Sequence, residues 1–233
     1  MGSDIQLPTI RSDRNSTATA EGTMRAIVQD TYGSADVLRL ARIARPEIGD
    51  SEVLIRVHAA SVHIGDWHVM TGLPYLLRVV GFGFRAPKAR VRGMDVAGTV
   101  EAVGQNVTQF ELGDEVFGTC AGSFAEQATA RVDTLARKPA NLSFEQAAAV
   151  PTSGVAALQA LRDAGGITSG QQVLIVGASG GVGLFAVQIA KSFGAEVAAS
   201  AARRRWIWFA PSALIMFSTM PWRTLRKADS SMT

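Results

Sequence analysis

The sequence predicts an α/β protein with a β-rich N-terminal part followed by a partial doubly wound parallel sheet. Three observations predict it. Short alternating apolar runs recur between residues 25 and 119, separated by Gly, Pro and Asp turn signals, as in an antiparallel barrel-like domain. A helix cap then opens two short helical stretches between Ser143 and Arg162. Last comes a strand, a glycine-rich turn, a helix and a second strand, between Gln172 and Ser200.

In chain order, residues 1–23 are polar, aperiodic and rich in small side chains, and are expected to be a disordered extension. They hold no apolar run of a signal peptide, and Gln6 breaks the lipidation pattern that Met1-Gly2 suggests. From Met24 the pattern becomes Arg25–Gln29, Val37–Leu40 and Glu52–Ala60, the last with clear alternation. Val96–Val103 and Glu115–Thr119 are further strands, parted by the turn Glu111-Leu-Gly-Asp114. Between Ser61 and Arg92 lies an irregular stretch with a helical hint at Asp66–Thr71, long enough to expect a functional loop. Ser143 and Gln146 form a capping-box pair, and a second helix is predicted from Ser153 to Arg162. Domains are accordingly expected at 24–150 and 151–202, with a distinct tail at 203–233.

The glycine turn carries the chemistry. Val173–Val176 reads as a strand buried on both faces, and Val182, Phe185, Ala186, Ile189 and Ala190 recur at helical spacing. Gly194 is placed to end that helix before Glu196–Ser200. A diphosphate reaches the N–H groups and positive end of a helix only where no side chain intervenes. Gly180 and Gly183 occupy the second and third places of a dinucleotide fingerprint, while Ala178, preceded by Gly177, holds the first. Gly177, Ala178, Ser179, Gly180, Gly181, Val182 and Gly183 are therefore candidate cofactor contacts, with Ser200 at the end of the second strand. No acidic residue stands there to hold the ribose of NAD, and Arg203-Arg204-Arg205 tilts toward the extra phosphate of NADP.

Charge and cysteine content exclude other classes. The net charge of +3 is concentrated in residues 203–233, where six Arg or Lys face one Asp, so no nucleic-acid surface is indicated. One cysteine, Cys120, builds neither a disulfide framework nor a cysteine zinc site, and a reducing, cytoplasmic setting fits. His58, His63 and His68, five residues apart, share no strand or helix face, so no metal site is expected.

Four motifs occur in a telling order: Gly93-Met-Asp95-Val-Ala-Gly98-Thr-Val-Glu-Ala-Val-Gly104, Gly113-Asp-Glu-Val-Phe-Gly118, Ala147-Ala-Ala-Val-Pro151 and Gly177-Ala-Ser-Gly180-Gly-Val-Gly183. Together they resemble the medium-chain dehydrogenase/reductase superfamily, in its zinc-independent, quinone-oxidoreductase-like branch that includes zeta-crystallin. The resemblance implies a GroES-like catalytic barrel, a Rossmann domain, NADPH as cofactor (NAD being the alternative), and reduction of quinones or α,β-unsaturated carbonyls as small-molecule substrates. It also makes a homodimer possible, with neither membrane nor nucleic acid as partner. The zinc-using relatives carry a His-Glu pair where this chain has Met94-Asp95, and a structural lobe of four cysteines. By the same resemblance, the loop from Ser61 to Tyr75 lines the substrate pocket, giving Tyr75 as candidate proton donor, Asp66 as an orienting residue and His63 where relatives often carry Asn. Thr152 and Ser153 fall in the segment near the nicotinamide, with Ala156 where relatives often have Thr. Arg85, Lys88, Arg90 and Arg92 read as a solvated loop that helps to attract an anionic ligand.

The resemblance stops near Ala198. Trp206–Trp222 is uncharged and long enough for a borderline membrane span, but Pro211 interrupts it. Permitted codons from Arg205 onward, read from the third base of that codon, can spell a product containing SIGADHVFDY, the segment the family carries next. A shift of reading frame between Ala198 and Arg205 is therefore expected, leaving a C-terminally truncated Rossmann domain. An inactive fragment with at most weak nucleotide binding, or an interaction role, is the alternative to a reductase.

Overall fold

Two antiparallel strands begin the folded chain: β1 (Thr23–Gln29) and β2 (Leu38–Ala44), with Thr23 opposite Ala44 and Gln29 opposite Leu38. The structure is a computed structural model that describes residues 22–200 and 214–217, the last stretch and the side chains of Val80 and Phe82 through their backbone alone. It divides into a first unit, residues 1–152, and a second, residues 153–233. The expected tail at 203–233, the change of frame and the arginine run Arg203–Arg205 lie outside the described residues, one short strand excepted.

In the first unit, the alternation of Glu52–Ala60 becomes β3, which runs on to helix α1 (Ile64–Thr71) and then β4 (Asp95–Val103). Strands β5 (Glu115–Thr119), β6 (Gln127–Arg131) and β7 (Leu135–Arg137) complete a five-stranded antiparallel sheet in the order β6-β3-β4-β5-β7. Its core is Val53, Ile55, Val96, Val100, Phe110, Val116 and Ala130. Between β3 and β4 the register slips at Val57/Ala59, leaving His58 as the extra residue of a bulge. There the backbones approach so closely that a Cβ on Gly98 would stand 2.1 Å from the Arg56 carbonyl oxygen. The sequence gives no strand signal for β6 and β7, because Gln127-Ala-Thr-Ala-Arg131 turns only small alanines, Ala128 and Ala130, toward the core.

Helix α1 starts two residues before the hint at Asp66, because His63 caps it: the His63 Nδ1 accepts the Gly65 N–H at 3.0 Å, and Asp66 accepts the His63 N–H at 3.0 Å. It ends at Gly72, whose φ of 64° is the left-handed turn glycine permits. Helix α2 (Phe144–Ala148) has its cap at Ser143, whose Oγ accepts the Gln146 N–H while Gln146 Oε1 accepts the Ser143 N–H. Helix α3 (Pro151–Leu158) follows, and its last turns widen into a π segment, Gln159–Ala164.

In the second unit, β8 (Gln172–Val176) leads through the glycine turn into α4 (Gly181–Ser192) and then β9 (Glu196–Ser200). Strands β8 and β9 pair in parallel, and β10 (Leu214–Phe217) pairs antiparallel with the other edge of β8. The described sheet is thus mixed where a wholly parallel one is expected. Only one face of β8 is fully buried, through Val173 and Ile175, while Val176 is 37% exposed. Leu161, Ile167, Ala186 and Ala190 pack on that face.

Candidate functional site

Asp95 opens β4 facing inward and is only 1% exposed. Its carboxylate accepts three donors: the Thr152 hydroxyl at 2.5 Å, the Thr152 N–H at 3.2 and 3.3 Å, and the Ser61 hydroxyl at 3.1 Å. A buried carboxylate is stable only when so satisfied. Asp95 thereby fixes Ser61, the residue after β3, and Thr152 against the same strand.

Beside it stands His63. Its Nδ1 is occupied as an acceptor by the helix cap, so the neutral ring carries its proton on Nε2. That nitrogen lies 3.5 Å from Thr152 Oγ1 and 3.6 Å from Asp66 Oδ2, both long contacts. Asp66 is 7% exposed, and burial raises its pKa above the usual carboxylate value, the N–H of His63 opposing that in part. His63, Asp66 and Thr152 are therefore brought together. Tyr75 is not: its ring is 69% exposed and stacks against the Arg78 guanidinium, 4.8 Å from the ring centre.

Asp66 also lines a cleft of about 280 Å³ with Val69, Lys88, Val91, Arg92, Met94 and Cys120. Here the sequence-based assignment of a solvated basic loop needs correction. Arg90 is exposed and pairs with Asp30 at 2.6 Å. Arg92 is 5% exposed, and among the described residues its Nε has no hydrogen-bond partner. Its backbone is the reason: Phe124 N–H donates to the Arg92 carbonyl, and Arg92 N–H to that of Ile27, which turns the side chain inward. Cys120 is largely buried, and burial pushes its thiol up to about 12. The histidines part company, His58 stacking on Phe144 and bonding Thr99, His68 bonding the Leu73 carbonyl.

In the second unit the glycine turn is shaped as a cradle. Gly177 takes a φ of 79°, and its N–H, with that of Ala178, donates to the Ser200 carbonyl at 2.8 and 3.0 Å. Ser200 thus binds the loop through its backbone. A Cβ on Gly183 would meet the Gly177 oxygen at 2.3 Å, so helix and turn close only on glycine. Gly180 caps α4 without any side-chain hydrogen bond, and Ser179, Gly180 and Gly181 are exposed, with Val182 half-buried behind them. The first-turn N–H groups therefore face outward uncovered, which fits a diphosphate. Ser153 lies beside this turn, its Oγ 2.9 Å from where a Cβ on Gly181 would be.

Asp95 escapes sequence reasoning as a site residue, and Ser61 is read only as the start of the pocket-lining loop. A lone Asp opening the apolar run Val96–Val100 is the available signal for Asp95; nothing marks Arg92 among its basic neighbours.

Residues 49–160 match the alcohol dehydrogenase GroES-like domain family. A quinone oxidoreductase of Sus scrofa is 38% identical over 187 residues, covering 79% of this chain and 54% of that protein. A 2-methylene-furan-3-one reductase of Solanum lycopersicum is 37% identical, covering 76% of this chain and 47% of its own. The crystal structure of Escherichia coli quinone oxidoreductase complexed with NADPH superposes with a TM-score of 0.65 at 27% identity, over 76% of this chain and 52% of that one. The chain spans about half the length of the curated relatives it matches.

Proposed function

The chain belongs to the medium-chain dehydrogenase/reductase superfamily, and on that premise we propose that the protein it represents is a zinc-independent, NADPH-dependent reductase of quinones or α,β-unsaturated carbonyls. The carrying observation is the cradle after β8, where Gly183 admits no side chain and the first turn of α4 is uncovered. When bound, the nicotinamide coenzyme supplies the hydride. The amides of Gly181, Val182 and Gly183 hold its diphosphate, with Ser179 and Ser153 at the rim.

The remaining need of an enone or quinone reduction is a hydrogen-bond donor toward the oxygen that gains charge, its proton being supplied in the end by water. His63 fills it through Nε2–H, because the helix cap fixes its tautomer and its two acceptors are long. Asp66 orients that ring, Thr152 is held by Asp95 beside it, and Tyr75 contributes from the outer loop only if the substrate extends there. NADH is the alternative donor, and the proposed setting is cytoplasmic; among the described residues no helix is long and apolar enough to cross a membrane.

A second reading is favoured by one observation. In the described sheet β10 runs antiparallel along the edge of β8, and the crevice between oppositely wound halves of a parallel sheet is not formed there. On that reading this chain binds nucleotide weakly without turnover. Titrating the chain with NADPH by fluorescence, then following NADPH oxidation with quinones and enones, separates the two. Binding with turnover supports the reductase; binding alone supports the weak binder; no affinity for NADPH or NADH overturns both.

A further inference from the structure

We propose that the cleft beside α1 is a binding site for a small organic carboxylate with a short apolar body, its anionic group received by Arg92. A charged guanidinium costs several kcal/mol to bury without a partner. Arg92 is buried, its Nε is unsatisfied, and it enters no ion pair among the described residues. Asp66 acts on it through space and favours its charged form, against the burial that opposes it. Asp66 is committed to the His63 N–H, and the Tyr32 hydroxyl donates to the Gly83 carbonyl at 2.7 Å. The protein has therefore placed a positive fork in a wall without closing it.

The rest of the lining states what accompanies the anion. Val69, Ala89, Val91, Met94, Cys120 and Ala121 are apolar or weakly polar, and Lys88, exposed, stands as a second cation. Arg presents parallel N–H donors that match a carboxylate. A volume near 280 Å³ holds a body of a few carbons, below the usual range for larger ligands. The inference rests on this cleft being a ligand site, not on hydride chemistry.

The test uses the chain without coenzyme, so its failure is separable from failure of the reductase reading. Sodium crotonate and neutral crotonamide, of nearly equal shape, are titrated by calorimetry. Crotonate is expected to bind at least about tenfold more tightly, and R92M to abolish that preference; K88M lowers it only a few-fold. R92M is also expected to melt no lower than wild type, since it removes an unpaired buried charge, whereas a purely structural arginine would cost stability when replaced. Independently of any variant, the Arg92 Nε–H resonance shifts with crotonate and not with crotonamide. Equal affinity for acid and amide, no saturation by crotonate, a preference surviving in R92M, or an unmoved Nε–H resonance overturns the proposal.

Discussion

Asp95→Asn keeps the shape of the side chain and removes the charge shared by three donors. In the wild type the carboxylate accepts the Thr152 hydroxyl, the Thr152 N–H and the Ser61 hydroxyl. Hydrogen bonds to a charged group contribute about 1.5–3 kcal/mol each, neutral ones about 1 kcal/mol. The asparagine oxygen still serves two donors at the neutral strength. Its NH2 then confronts the third in a site that is 1% exposed. The expected loss is about 3 kcal/mol, which for a chain of this length lowers the melting temperature by roughly 6–12 °C. Urea unfolding by far-ultraviolet circular dichroism measures the first quantity. Hydrogen exchange at the Thr152 amide reports on the same bond directly, and should accelerate more than tenfold in D95N. Thr152→Val alone is expected to cost about 1.5 kcal/mol, and the double variant less than the sum, because both remove one contact. A change in stability below about 0.5 kcal/mol, with Thr152 exchange unaltered, refutes the idea that Asp95 organises this site.

Three further outcomes follow from the same geometry. Asp66 has its pKa raised by burial, so its contribution favours the native state while it is protonated and fades as pH climbs through the folded value; above about pH 4 the urea midpoint of D66N should gain on wild type, and parallel profiles from pH 4 to 8 would contradict this. Cys120, with its thiol pushed up to about 12, should react with iodoacetamide at pH 8 at least about 100-fold more slowly than a free cysteine peptide, and an equal rate would place it outside the buried wall. Gly183→Ala places a Cβ 2.3 Å from the Gly177 oxygen; it should cost about 1–3 kcal/mol and weaken NADPH binding at least tenfold, measured by thermal melting and fluorescence titration.

The strands with alternating large apolar residues were legible, as was the strand, glycine turn and helix at 172–192, because a single local signal specified each. Ser143 and Gln146 announced their helix, since both halves of that cap lie three residues apart in sequence. His63 hid the start of α1 because histidine is rarely read as a cap, although its Nδ1 accepts a backbone N–H as a serine would. The site itself is a tertiary product. Asp95 meets Thr152 across a long stretch of sequence, with Ala147 and Ala148 of α2 packed against Ala97 of β4 beside them. Arg92 differs from Arg90 by two residues and by everything else: one finds Asp30 in solvent, the other is turned inward by its backbone partners. Tyr75, the donor candidate that the resemblance of the Ser61–Tyr75 loop suggests, lies on the outside with Arg78 over its ring.

The strand order β6-β3-β4-β5-β7 also dictates a timetable for biosynthesis. Val53 has its partner in Val103 and Glu52 in Arg131, so both neighbours of β3 emerge only after it has left the ribosome. At about 5–20 residues per second, the nascent chain carries β3 without its first neighbour, β4, for roughly 2–9 seconds. The hairpin of β1 and β2, with partners close in sequence, is complete well before. A chaperone that shields one short apolar segment during that interval would therefore raise the yield of native protein more by occupying Val53–Val57 than by attending to either end of the chain.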